Sequence, residues 1–245
     1  MEQNGVWSED LKIRAFMVDR NREANLVAIQ NMCQEVAGNH ANFRRLGFED
    51  MQAQGMAWVL NRLKIKALQF PKWTETVRVK TWVSQMSPFS HRHFQIILPN
   101  SDANTEGVVL ANVYTIWIPI DIVTKRPKRQ VLSDLPLREI VYDCEVPEKL
   151  GFTEGVLFSS ERVVQYSDLD MLGHVNNAKY VEWLFDDFFR NHKNGKPNVL
   201  EINYLGEVFE GATVQLFARQ MDKEMIYVVK NKKEGKEVCW AKLSF

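Results

Sequence analysis

The 245-residue sequence predicts an α+β fold made of two successive helix-on-sheet units. Three observations carry this expectation. A helix-spaced run stands near the start of each half. Four strand-like segments rich in β-branched and aromatic residues follow each run. The halves also align without gaps, Leu63-Lys64-Ile65 through Thr76-Val77-Arg78-Val79 falling on Leu200-Glu201-Ile202 through Thr213-Val214-Gln215-Leu216. The expected boundaries are residues 1–120 for the first unit, 121–155 for a linker and 156–245 for the second unit.

Leu11 to Val18 alternates apolar and polar residues, as a half-buried strand does. Asp19 to Glu23 is a charged turn. From Asn25 to Phe43 the period changes: Leu26, Ile29, Cys33, Val36, Ala37 and His40 recur at three- and four-residue steps, the mark of an amphipathic helix. A polar segment from Gly47 to Gly55 ends it. Trp58–Leu68, Thr76–Ser84, Arg92–Leu98 and Val108–Ile120 then read as strands in an antiparallel meander. The stretch 121–155 has Pro119, Pro127, Pro136 and Pro147 in or beside it and reads as a surface-wrapping linker. The second unit repeats the order: a strand near Leu157–Tyr166, a helix over Asn176–Arg190, and strands near Val199–Val208, Thr213–Gln220, Met225–Asn231 and Glu237–Phe245. Joining the two sheets edge to edge would cover two exposed edges.

Composition narrows the function class. The chain is 45% hydrophobic and 25% charged with zero net charge, which gives no basic footprint for nucleic acid. No apolar run approaches the ~20 residues of a membrane span. Met1 to Asp10 lacks a basic start and apolar core, so no signal or transit peptide is expected and the chain reads as bacterial-type and cytoplasmic. Cys33, Cys144 and Cys239 are odd in number and far apart, as reduced thiols are. No Cys/His cluster has metal-ligand spacing, so neither a metal nor another cofactor is expected. His91 and His93 share one strand face, where surface polarity is the simpler reading.

The densest chemistry lies in Asp168-Leu169-Asp170-Met171-Leu172-Gly173-His174-Val175-Asn176-Asn177, between a strand and a helix. Two carboxylates, a histidine and two amides at a helix start place acid–base groups beside backbone N–H donors and a positive helix-dipole end. Such a junction can polarise a carbonyl and activate water. The structural alternative makes Asp168 or Asp170 an N-cap and His174 a first-turn residue.

Asp168 to Trp183, with its Asp-Leu-Asp-x-x-x-His-Val-Asn-Asn-x-x-Tyr-x-x-Trp pattern, resembles the helix-opening motif of the plant and bacterial acyl-acyl-carrier-protein thioesterases. Gln34–Ala41, Trp58–Leu63, Thr81-Trp82-Val83 and Ile202–Val208 resemble further segments of that family, so the likeness covers nearly the whole chain. It implies a tandem, or double, hot-dog fold. It also implies hydrolysis of fatty acyl-acyl carrier protein to free fatty acid, which ends chain elongation in fatty acid biosynthesis. The family's catalytic aspartate, histidine and glutamate fall on Asp170, His174 and Glu207. Two positions depart. Leu172 stands where the plant enzymes have asparagine, with Asn176 and Asn177 as possible compensation, and Val208 replaces a cysteine, which argues against a Cys–His pair.

The expected oxyanion donors are the backbone N–H groups of Gly173 and His174. The position aligned with Glu207 in the first half is Phe70, and that half lacks an Asp-x-x-x-His helix start, so one active site per chain is expected. By resemblance the first unit holds the acyl chain, with Ile29, Cys33, His40, Trp58 and Arg62 as candidate pocket residues; a packed helix histidine is the other reading of His40. Acyl carrier proteins are acidic, and Lys125, Arg126, Lys128 and Arg129 form the candidate docking patch. An acyl-CoA thioesterase, a hydroxyacyl dehydratase and a non-catalytic acyl-binding protein are the competing functions, and either a monomer or a homodimer is compatible with two units in one chain.

Overall fold

The long apolar stripe of the first half forms helix α1, Leu26–Phe43. Asn25 caps it, its Oδ1 accepting from the Ala28 amide at 3.1 Å. Leu26, Ile29, Met32 and Val36 are buried on it, each contributing roughly 1.5–3 kcal/mol of burial. The structure, a computed structural model, describes residues 2–100, 107–128, 135–151 and 154–245. The chain divides into unit 1, Met1–Val146, and unit 2, Pro147–Phe245.

In unit 1, strands β1 (Glu2–Gln3) and β2 (Val6–Lys12) precede α1, and the short helix α2 (Phe48–Ala53) follows it. Strands β3 (Met56–Ala67), β4 (Thr76–Gln85), β5 (Ser90–Leu98) and β6 (Val108–Asp121) complete the unit. The antiparallel order is β1-β2-β4-β5-β6-β3. Three details differ from the sequence expectation. The first strand ends at Lys12, and Ala15–Met17 form a 3-10 turn at the far end of the expected strand. The polar segment after α1 contains α2, whose start is tied by Asp50 accepting from the Gly47 amide at 3.2 Å. The meander is β4-β5-β6 alone. β3 pairs with β6 instead of β4, because the β3–β4 connection passes the start of α1, where the Ala24 amide donates to Pro71 O at 2.7 Å.

Unit 2 has β7 (Leu157–Val163), α3 (Asn177–Asn191), β8 (Val199–Tyr204), β9 (Thr213–Met221), β10 (Glu224–Asn231) and β11 (Glu237–Ser244), ordered β8-β11-β10-β9-β7. Helix α3 buries Tyr180, Val181, Leu184, Phe185 and Phe188. Its buried Asp187 accepts from Ser159 Oγ at 2.6 Å and Ser160 Oγ at 2.9 Å, which ties the helix to β7. The expected strand to Val208 stops at Tyr204, which frees Leu205–Phe209 to form a loop.

The described part of the 122–151 stretch contains no helix or strand and is fastened by polar ties. In unit 1, Tyr142 lies on the sheet face carrying Trp82 and His93, and Lys66 Nζ meets Asp143 at 2.6 Å. In unit 2, Asn203 Oδ1 accepts from the Leu150 amide at 2.9 Å. His93 is therefore 5% exposed, not a surface group as the sequence suggested. Tyr142 Oη donates to Val113 O at 3.2 Å. That makes His93 Nδ1 the donor to Tyr142 at 2.8 Å and leaves Nε2 to accept from Ser84 Oγ at 2.6 Å.

Burial, with His91 and Arg92 nearby, pushes the His93 pKa down to about 4, and burial beside Arg92 and Arg44 pushes His40 down to about 3. A histidine depressed on folding binds fewer protons in the native state. Its stabilisation is present above the unfolded pKa near 6.5 and is lost as pH falls through the folded value. Denaturant unfolding between pH 7 and pH 4 will show stability falling with acid, by on the order of 3 kcal/mol from His93 alone. His93→Gln will be less stable at pH 7 and have a shallower acid slope; an unchanged slope excludes His93 as its source.

Candidate active site

The site is a loop turned back on itself at the start of α3. Asp168 closes a 3-10 turn over Tyr166–Asp168, its Oδ2 accepting from the Gln165 amide at 2.9 Å. Asp170 closes the next turn: Oδ1 accepts from the Leu172 amide at 2.8 Å and the His174 amide at 3.1 Å. The Asp170 amide donates to His174 O at 2.8 Å and the Gly173 amide to Asp170 O at 3.0 Å. Gly173 has φ +76°, and a Cβ there would meet nothing, so the left-handed backbone selects glycine. Asn176 caps α3, its Oδ1 accepting from the Ala178 amide at 2.9 Å, and Asn177 is the first helical residue, its carbonyl held by Tyr204 Oη at 3.1 Å.

A second loop meets the first. The Val175 amide donates to Val208 O at 2.9 Å, and His174 and Phe209 form a β-bridge. This pairing brings Glu207 to His174, with Nε2 and Oε2 3.7 Å apart; the side chains are 21% and 39% exposed. The Phe209 and His174 rings lie 5.0 Å apart at 80°. Phe209 was missed in the sequence, where nothing but its place two residues after Glu207 marks it.

The structure corrects the oxyanion expectation. The Gly173 and His174 amides already donate to Asp170 O and Oδ1, so neither has a free proton for substrate in this conformation. Asn176 Oδ1 is committed to its cap. Leu172 is exposed at the turn and has no polar side-chain atom. A cysteine nucleophile has no place here: Val208 is buried, as are all three cysteines, and burial pushes the Cys33, Cys144 and Cys239 thiols up.

The pocket candidates all lie in unit 1. Ile29 and Cys33 are buried on α1. Trp58 is half-buried on β3 and donates its indole N–H to Leu46 O at 3.0 Å; Arg62, half-buried, sits at the β3 bulge. His40 is packed: its ring stacks on Trp7, and Nδ1 accepts from Arg92 Nη1 at 3.0 Å.

Unit 1 contains the same loop without the same chemistry. Asp19 Oδ1 accepts from the Asn21 and Glu23 amides at 2.8 and 3.3 Å, the Asp19 amide donates to Glu23 O at 2.9 Å, and Arg22 has φ 62°. Glu23 bridges Lys72 as His174 bridges Phe209. The helix start missing a histidine is therefore an Asp-x-x-x-Glu. The family model for the acyl-ACP thioesterase N-terminal domain matches residues 4–135, and that for its C-terminal domain matches residues 155–245. A chloroplastic acyl-[acyl-carrier-protein] hydrolase of Cuphea viscosissima is 28% identical over 217 residues, 82% of this chain and 50% of that protein. A chloroplastic palmitoyl-acyl carrier protein thioesterase of Arabidopsis thaliana is 28% identical over 199 residues, 74% of this chain and 47% of the other. The chain spans about half the length of these curated relatives. A crystal structure of an acyl-ACP thioesterase from Bacteroides thetaiotaomicron superposes with a TM-score of 0.88 at 25% identity, covering 99% of this chain and 98% of that one. The 12:0-ACP thioesterase of Umbellularia californica, at 20% identity, has a TM-score of 0.80 over 100% and 98% of the two chains, a likeness of fold.

Asp19 makes the Asp170 contacts where no histidine follows, so loop shaping accounts for this carboxylate without proton transfer. Asp170→Asn, which keeps Oδ1 as an acceptor, will retain most of the fold stability and turnover. Asp170→Ala will lose about 2 kcal/mol by chemical denaturation and most turnover. Inactive but fully stable Asp170→Asn would instead make Asp170 a proton-transfer group.

With a hot-dog helix and antiparallel sheet in each unit, and with family domains matched over both halves, the chain belongs to the acyl-ACP thioesterase family.

Proposed function

We propose that this protein hydrolyses the thioester of a fatty acyl-acyl carrier protein. The observation that carries the reading is His174 Nε2 facing Glu207 Oε2 at the start of α3 in a chain of this family. A water molecule adds to the thioester carbonyl carbon while Glu207 and His174 receive and pass its proton. The tetrahedral intermediate collapses with cleavage of the carbon–sulfur bond, and the protonated imidazole returns a proton to the departing thiolate. The products are a free fatty acid and the carrier-protein thiol. Asp170 holds His174 in place through its amide. The Gly173 and His174 amides are engaged within the turn, so they are not the donors to the developing oxyanion.

The carrier protein is acidic and the docking patch assigned to it is basic. Lys125, Arg126 and Lys128 belong to that patch, with Lys128 Nζ 3.3 Å from Asp121 Oδ2; Arg129 lies outside the described residues. Unit 1 is the acyl-holding half in this reading, with Ile29, Cys33, Trp58 and Arg62 as its pocket residues. An acyl-CoA thioesterase would use the same chemistry on a nucleotide-bearing thiol.

Thiol release from matched carrier-protein and CoA thioesters over a range of acyl lengths tests the reading. Turnover is expected on the carrier-protein series, falling about 100-fold or more in His174→Ala and in Glu207→Gln. Release from CoA thioesters alone would assign the other thiol. Binding without release from either series would make the chain a non-catalytic acyl-binding protein.

A further inference from the structure

Phe209, which the family motif does not mark, packs on the His174 imidazole. His174 is fixed through its backbone, by its amide to Asp170 Oδ1 and its carbonyl to the Asp170 amide. Those bonds leave the ring free to turn about its Cβ–Cγ bond. Glu207 Oε2 at 3.7 Å is beyond hydrogen-bond length, so it attracts a protonated ring without setting its plane. Phe209 packs on that ring, nearly perpendicular at 80° with centroids 5.0 Å apart, a favoured aromatic arrangement. Phe209 is itself anchored by the bridge to His174, by the Val175 amide on Val208 O and by its carbonyl, which accepts from the Ala212 amide at 3.2 Å. Yet its side chain is 54% exposed, so core burial does not account for a phenylalanine at this point.

Unit 1 supplies the control. Its matching bridge joins Glu23 to Lys72, with the same backbone bonds around it, the Ala24 amide donating to Pro71 O as the Val175 amide does to Val208 O. The frame therefore needs no aromatic residue there. Phenylalanine stands opposite the half's histidine and lysine opposite its glutamate, so the bridging partner follows the chemistry of the residue it faces.

We propose that Phe209 is a positioning residue that holds the His174 ring in the plane that presents Nε2 to Glu207 and to substrate. The inference rests on the thioesterase reading of this site. The ring edge or face packed on the imidazole restricts its rotation and keeps water from one side. The substrate carbonyl then meets an imidazole already in its working orientation, and that prior ordering lowers the barrier.

Kinetics of Phe209→Ala, Phe209→Leu and Phe209→Tyr on a carrier-protein thioester, compared with His174→Ala, decide the point. Phe209→Ala is expected to lower kcat about 10-fold or more with KM within about 2-fold, and to leave the melting temperature nearly unchanged because the side chain is half exposed. Phe209→Tyr should restore kcat and Phe209→Leu should not. Wild-type kcat in Phe209→Ala would overturn the inference, as would equal rescue by leucine, which would reduce the role to filling space. If His174→Ala is itself fully active, the site assignment fails first; if His174→Ala is dead and Phe209→Ala is normal, only the role of Phe209 fails.

Discussion

One carboxylate oxygen accepting two backbone amides sets the geometry of this site. Asp170 Oδ1 binds the Leu172 and His174 amides and so closes a five-residue turn between a 3-10 turn and α3. A charged acceptor makes each of these bonds stronger than a neutral one. The closed turn requires a left-handed residue at its fourth position, which Gly173 adopts without strain. Once closed, it turns the edge of Val175 and His174 toward Val208 and Phe209, and the two loops pair as a fragment of ladder. Glu207 reaches His174 as a result of that pairing. The approach of Glu207 to His174 is thus a product of backbone hydrogen bonding set by Asp170 within the same turn as the histidine.

The duplicated half shows which parts of this arrangement belong to the scaffold. Asp19, the asparagine cap at Asn25, the 3-10 turn at Ala15–Met17 and the bridge to the second loop recur there, and Arg22 accepts the strained φ that Gly173 takes freely. Glu23, Lys72 and Phe70 replace His174, Phe209 and Glu207. The two halves therefore differ in three side chains laid on a frame that both build. A carboxylate at the position of Asp170 is informative about the loop and weakly informative about catalysis, since the half without a histidine keeps it.

Much of this was legible in the sequence because it depends on short-range pattern. The period of α1, most strands of both units and the juxtaposition of Asp170, His174 and Glu207 follow from local spacing or from family likeness, whereas the helix caps proved to be Asn25 and Asn176 and not Asp168 or Asp170. What was not legible depends on contacts across long separations. Pairing β3 with β6 requires knowing that Pro71 accepts from Ala24. Burying His93 requires knowing that Tyr142, forty-nine residues away, lies over it. The unavailability of the Gly173 and His174 amides as oxyanion donors came from a bond internal to the turn, which spacing could equally have read as an N-cap. Asp170 as a catalytic group and Asp170 as a turn-closing group both satisfy the motif, and the copy in the other half shows that the turn-closing contacts form where no histidine follows.

Burial then distinguishes the histidines from one another. His40 and His93 are enclosed, one between Trp7 and Arg92 and the other between Trp82, Ser84 and Tyr142, and burial holds both neutral well below the pH at which a thioester would be handled. His91, bonded to Tyr114 Oη at 2.8 Å, is pushed in the same direction by burial and by Arg62. His192 lies at the far end of α3, stacked on Phe188 with its ring nitrogens near Phe188 O and Gln220 Oε1. A group that takes a proton from water and returns it to a thiolate must reach solvent-borne substrate and face a carboxylate able to stabilise its charged form. Of the five histidines, His174 joins partial exposure, a carboxylate neighbour and a rigid backbone at a helix start. The fold thus keeps four imidazoles in structural contacts and presents the fifth, and it does so with the same turn that in unit 1 presents a glutamate.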